Sequence, residues 1–226
     1  MKYLKERKTV VAMARRIYEE KMVPGTWGNV SLKIKDQPLL LITPSGMEYE
    51  TMTIEDIVLL GLDGEGVEGE RIPSTEKRLH AGIYQQRADV GAIVHVHSNY
   101  ASAFAVAGRS IPVILEETAQ VIGHAIQVTP YVPCGTDELA LQVVQTLGQG
   151  NAVLLANHGL VGVGGDLDQA LTVCQVAEKT ALVCILANSL GQVNELCQAD
   201  INLLKKKFAN YGQTPKTTDA GKTGKG

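Results

Sequence analysis

The 226-residue sequence has no Cys-x-x-Cys pair, no block of basic charge and no apolar run long enough to cross a bilayer. Each absence removes a class of function. The four cysteines, Cys134, Cys174, Cys184 and Cys197, are scattered, which argues against a structural zinc site built from thiolates. They read instead as small, reduced apolar residues. A net charge of -3 without basic residues interleaved with aromatics argues against nucleic acid as a partner. The apolar stretch 177–190 carries Glu178 and Lys179 and falls short of the roughly 20 residues that a spanning helix needs. The first residues, Met1-Lys-Tyr-Leu-Lys-Glu-Arg-Lys, lack the apolar core of a secretory signal. A cytoplasmic protein with no membrane partner is expected.

Two glycine patterns also lead away from nucleotides. Gly64-Glu-Gly-Val-Glu-Gly fits G-x-G-x-x-G, but Glu65, Glu68 and Glu70 would repel a pyrophosphate, and Asp63-Gly64 between extended segments is a hairpin signal. Gly221-Lys-Thr lacks the earlier glycine of a P-loop.

What is present is a chain with no composition break over its first two hundred or so residues, read as one domain over 1–211 with a disordered tail over 212–226. An amphipathic helix over about 5–22 stops at Pro24-Gly25. Strands are expected at the start of Asn29-Val-Ser-Leu, at 38–42, at 57–62, at 90–97, at 126–132 and at 151–156. Helices are expected at 74–87, from 100 to 107, from Thr136 or Asp137 to Leu147, from Asp166 to about Leu190, and over 193–208. Gly162 and Gly164-Gly165 read as a hairpin-like turn.

The chemistry concentrates at His95-Val96-His97, which closes a buried strand. Residues two apart on a strand share a face, so both imidazoles enter one space while Val96 packs on the other side. Imidazole nitrogens suit zinc and its first-row neighbours. Glu76, in Pro73-Ser-Thr-Glu at a helix start, and His158, in Asn157-His-Gly at a strand end, are candidates to complete such a site. A lone buried histidine is more often a hydrogen-bonded core residue than a ligand, but two imidazoles side by side on one strand are costly to bury without a partner. His80 lies one turn beyond Glu76 on the same face, where it is a candidate to support the site from behind, with packing the simpler role. A divalent cation beside a carboxylate can polarise oxygens while a proton moves, which suits carbon–carbon bond cleavage. The small polar turns at Gly28-Asn29, Ser45-Gly46 and Ser74-Thr75 offer uncharged donors and a helix N-terminus, as a phosphate cradle would.

Gly25-Thr-Trp-Gly-Asn-Val-Ser, Ile42-Thr-Pro-Ser-Gly, Pro73-Ser-Thr-Glu, His95-Val-His and Asn157-His-Gly-Leu, in this order, resemble the class II aldolase/adducin family. The resemblance implies a three-layer α/β/α fold around a mostly antiparallel sheet, and a homotetramer with active sites at subunit interfaces. It implies Zn2+, or another divalent metal such as manganese or cobalt, on His95, His97, His158 and Glu76. Glu76 would be the catalytic acid/base, and Gly28, Asn29, Ser45, Gly46, Ser74 and Thr75 would hold the substrate's phosphate. The implied reaction is cleavage of a phosphorylated ketose, L-fuculose-1-phosphate-like, to dihydroxyacetone phosphate and an aldehyde through a metal-stabilised enediolate. On the same scaffold the alternatives are 4-epimerisation of a pentulose 5-phosphate, dehydration of a methylthioribulose-like phosphate, or a non-catalytic adducin-like module. One position departs from the pattern: an ungapped count from His95 puts Glu116 where fuculose-phosphate-cleaving members supply a tyrosine from the next subunit. Tyr211 loosely matches an aromatic that reaches the site from the family's C-terminal end.

Overall fold

The computed structural model describes residues 1–208; the tail at 212–226 and Tyr211 fall outside the described residues. Helix α1 (Leu4–Glu19) leads into β1 (Asn29–Lys33), β2 (Leu39–Ile42), β3 (Val58–Gly61) and β4 (Gly66–Glu68). Then come α2 (Lys77–Gln86), β5 (Ala92–Val96), α3 (Asn99–Val106), α4 (Glu116–Val121) and α5 (Asp137–Leu147). The hairpin β6 (Ala152–Leu155) and β7 (Gly159–Gly164) precedes α6 (Leu167–Leu190) and α7 (Gln198–Phe208). The strands form one antiparallel sheet in the order β4-β3-β2-β1-β5-β7-β6.

Period-two alternation sorts the side chains to two faces. On β5, Ala92, Val94 and Val96 join the core beneath α1, α3 and α6, while Ile93 belongs to the opposite core beneath α2 and α5. This is the expected three-layer α/β/α arrangement, and it puts His95 on the α2 face with Val96 behind it. Asn29 pairs with His95 and Ser31 with Ile93 across the β1–β5 ladder, so β1 sends two polar side chains to the same face. The expected turn at Gly64 closes the β3–β4 hairpin, where the Gly61 N–H donates to the Glu65 carbonyl at 2.9 Å.

Several elements differ from the expectation. Residues 126–132 make isolated bridges from Ile126 and Val128 rather than a strand; Pro130 and Pro133 cannot donate to a ladder. The bridge from Val128 to Leu154 still covers the β6 edge. The segment beginning at Glu116, for which no element is expected, is a short helix, α4, packed with α7 in a satellite cluster of Val113, Ala119 and Ile201. The β6–β7 turn falls at 156–158, with Asn157 at φ 58°, and Gly162 and Gly164 lie inside β7. Their glycines serve packing instead of turning: a Cβ on Gly162 would stand 2.6 Å from Cys174 Sγ and 2.7 Å from the Ala170 carbonyl, because α6 presses directly on β7. Gly162→Ala is therefore expected to destabilise the fold by about 1–3 kcal/mol, read as a shifted midpoint in urea unfolding. Contrary to the expectation from 177–190 alone, helix α6 extends back to Leu167 and is long and apolar enough to cross a membrane; its Ala170, Cys174, Ala177 and Ala181 are buried in the core.

Candidate metal centre

Glu76, the His95–His97 pair and His158, from three segments distant in sequence, converge where the end of β5, the β6–β7 turn and the start of α2 meet. Their geometry supports a cation site. His95 Nε2 lies 3.0 Å from His97 Nε2 and 3.1 Å from Glu76 Oε2, and His158 Nε2 lies 3.7 Å from Glu76 Oε1. The imidazole donor atoms of His95, His97 and His158 all fall within 4.8 Å of one another. Ligands held at about 2.1 Å around a tetrahedral zinc stand roughly 3.4 Å apart, so small adjustments would accommodate the ion.

Local structure explains each position. His95 is fully buried on β5, and its Nδ1 donates to the Leu160 carbonyl at 3.0 Å. A carbonyl only accepts, so this bond fixes the tautomer and turns Nε2 inward, as outer partners of metal-binding histidines do. His97 follows β5, with Trp27 beside it at a ring separation of 5.7 Å. His158 occupies the tight β6–β7 turn. Gly159 next to it admits both β5 rings: a Cβ there would come within 2.4 Å of the Val96 carbonyl, 3.2 Å of His97 Cδ2 and 3.3 Å of His95 Cε1. Glu76 immediately precedes α2 rather than sitting in its first turn. The Ser74 hydroxyl accepts from the Glu76 N–H at 3.2 Å, leaving the carboxylate free to turn inward, where it is 6% exposed.

The electrostatics of the cluster centre on Glu76. Burial opposes ionisation of Glu76, but the charges of His95 and His158 and the bonds from His95 and Asn29 outweigh it and hold the carboxyl well below its usual range. Burial, reinforced by His95 and His158, pushes His97 down to about 3. Burial and His95 push His158 down to about 4. Both rings thus keep free lone pairs at neutral pH, as metal ligation requires. His95 is also buried, yet the Glu76 charge and its bonds to Glu76 and Leu160 raise it. Glu76 Oε1 has no hydrogen-bond partner despite its burial, and an unpaired buried carboxylate oxygen is costly. A cation among three imidazoles would satisfy it.

Beside this cluster is a cavity of ≈ 220 Å³, lined by Thr26, Trp27, Gly28, Asn29, Pro44, Ser45, Gly46, Ser74, Thr75, Glu76, His97, His158 and Cys134. It is smaller than the about 300 Å³ at which drug-sized sites begin, which suits a small polar metabolite. All six residues expected to hold phosphate are in its wall, and no lysine or arginine is. Gly28 stands at φ +79°, where a Cβ would strike the His95 carbonyl at 2.6 Å, and Gly46 stands at φ +65° with open space before it. The Tyr49 hydroxyl lies 2.8 Å from the Gly28 carbonyl and 2.9 Å from that of Trp27, pinning this loop from behind.

Asn29 turns its amide away from the cavity: Nδ2 donates to Glu76 Oε2 at 2.8 Å, and Oδ1 meets His80. This anchoring role and the part played by Tyr49 are absent from the sequence-based expectation. The signal for the anchoring was the spacing: Glu76, His80 and Tyr84 recur every fourth residue, opposite Asn29 and Ser31. Glu116 begins α4 on an exposed face and is not among the residues lining this chain's cavity.

Comparison with known proteins gives consistent relatives. Residues 8–185 match the family described as "Class II Aldolase and Adducin N-terminal domain". The chain is 38% identical over 209 residues to a 5-deoxy-D-ribulose 1-phosphate aldolase of Bacillus thuringiensis serovar kurstaki, covering 92% of this chain and 98% of the relative. It is 36% identical over 189 residues to an L-fuculose phosphate aldolase of Escherichia coli K12, covering 83% and 86%. A solved L-fuculose 1-phosphate aldolase superposes with a TM-score of 0.89 at 32% identity, covering 92% of this chain and 98% of its own.

Proposed function

Since this chain belongs to the class II aldolase and adducin family, we propose that it is a zinc-dependent lyase that cleaves a ketose 1-phosphate to dihydroxyacetone phosphate and an aldehyde. The observation that carries this reading is the orphaned Glu76 Oε1, buried among three inward-facing imidazoles at the wall of a cavity without lysine or arginine. His95, His97 and His158, with Glu76 in the resting site, are assigned as metal ligands. When bound, the cation withdraws electron density from the substrate's ketone and hydroxyl oxygens and stabilises the negative charge that develops there.

The chain's own residues do the rest. Ser45, Gly46, Ser74 and Thr75 hold the phosphate with hydroxyls and backbone N–H groups, aided by the N-terminus of α2. Glu76 moves the proton: as the carbon–carbon bond breaks it takes the proton from the hydroxyl that becomes the aldehyde, the electron pair stays with the phosphorylated fragment, and Glu76 returns the proton to that fragment's carbon to complete dihydroxyacetone phosphate. Trp27 and Pro44 offer apolar wall for the aldehyde portion. The relatives' names favour short ketoses, 5-deoxy-D-ribulose 1-phosphate and L-fuculose 1-phosphate, as substrates. The same reading includes a cytoplasmic homotetramer with sites at subunit interfaces; Trp27 at 63% and Ile72 at 78% exposure leave apolar surface around the cavity for a neighbour to cover.

The test is metal analysis followed by incubation of zinc-loaded protein with each ketose 1-phosphate. Dihydroxyacetone phosphate should appear with one of them, chelation should stop its release, and zinc should restore it. A product of unchanged mass would indicate epimerisation and one lighter by water dehydration; either would overturn the aldolase reading.

A further inference from the structure

Behind Glu76, a line of polar side chains runs through the apolar core between α2 and β1. Asn29 is 4% exposed, His80 and Ser31 0%, and Tyr84 1%. Burying an amide, an imidazole and two hydroxyls is tolerable only if their donors and acceptors are matched, and here each link determines the next. A carboxylate only accepts, so Asn29 must present Nδ2 to Glu76 Oε2, 2.8 Å away. Its Oδ1 then faces His80, whose Nε2 must donate to it. The lone pair left on His80 Nδ1 accepts from the Ser31 hydroxyl at 2.6 Å, and the Ser31 oxygen accepts from the Tyr84 hydroxyl at 2.7 Å.

Resting on the assignment of Glu76 as the proton carrier, we propose that Tyr84, Ser31, His80 and Asn29 are positioning residues. Their one-directional hydrogen bonds lock the Asn29 amide, bind Oε2 of Glu76 and reserve Oε1 for the proton. The line ends at a buried tyrosine, so it orients the carboxylate and does not carry protons to solvent. Its only outlet is the site: Oε1 is the one Glu76 oxygen without a hydrogen-bond partner. If His80 cannot donate, Oδ1 of Asn29 loses its buried partner, the amide is held at one end only, and its grip on Oε2 of Glu76 loosens so that both carboxylate oxygens wander.

The experiment uses full-length, zinc-loaded protein and whichever of 5-deoxy-D-ribulose 1-phosphate and L-fuculose 1-phosphate the wild type cleaves. His80→Leu should lower kcat about ten- to a hundredfold, the usual cost of losing an outer partner, with KM and bound zinc within about twofold of wild type. His80→Gln, which retains a donor toward Asn29, should recover most of the rate, and Tyr84→Phe should lose a few-fold. Independently of activity, 15N NMR of the metal-free protein should show His80 protonated at Nε2 with Nδ1 as acceptor. A folded His80→Leu with wild-type kcat, a loss of kcat that merely tracks lost zinc, or an Nδ1-protonated His80 would overturn the proposal. Should His80→Leu fail to fold, Tyr84→Phe and the tautomer decide. Glu76→Gln separates the two levels: its full activity would sink the assignment of Glu76 itself, whereas its inactivity beside an unimpaired His80→Leu would sink only the positioning line.

Discussion

Glu76→Gln is expected to reduce dihydroxyacetone phosphate release about a thousandfold, within the range of about 10²–10⁴ that positioned acid/base groups contribute, while the protein stays folded. The substitution keeps shape and the partner for Asn29 but removes the charge that makes Glu76 both a ligand and a proton carrier. It also removes the main influence raising His95, so that ring should titrate lower in the variant. Because zinc affinity will fall too, the rate must be measured at saturating zinc with bound metal quantified. A variant that is fully loaded and still fast would show that the proton moves elsewhere.

His95→Ala is expected to abolish zinc binding and activity together and to lower unfolding stability by about 3 kcal/mol. The ring is completely buried, and its removal leaves the Leu160 carbonyl without this side-chain donor, Glu76 without its nearest imidazole and a void on β5. His158→Ala should lose zinc equally but cost less stability, since that side chain is 20% exposed in a turn. Urea unfolding of the two metal-free variants checks the difference. Equal destabilisation would mean that His95 matters only as a ligand and not to the packing of the sheet.

How much of this was readable beforehand follows from the periodicities. The spacing of His95 and His97, with Val96 between them, suffices to send both rings into one space, and their centroids stand 4.8 Å apart although β5 ends at Val96 and His97 lies just beyond it. The caps at Thr136 and Asp166 accept from Leu139 and Gln169 as their residue types foretell. Two features resisted. Gly162 and Gly164 looked like a turn because local sequence cannot reveal that a helix from later in the chain will lie against them. Asn29 looked like a substrate donor, and only tertiary contact reveals that its amide is already engaged by Glu76 and His80. The isolated bridges at 126–128 belong to the same class: the apolar pattern is a strand's, but the prolines decide the outcome.

The adjacency of Ser74, Thr75 and Glu76 has one more consequence. On the proposed assignment, anchor and reactive carboxylate are neighbours on the same rigid backbone, so together they act as a ruler. A sugar would be sorted by how far its phosphate lies from its ketone, and much less by how many carbons trail beyond the bond that breaks. Moving the phosphate to the far end of the same ketose should therefore defeat cleavage even where every hydroxyl is unchanged.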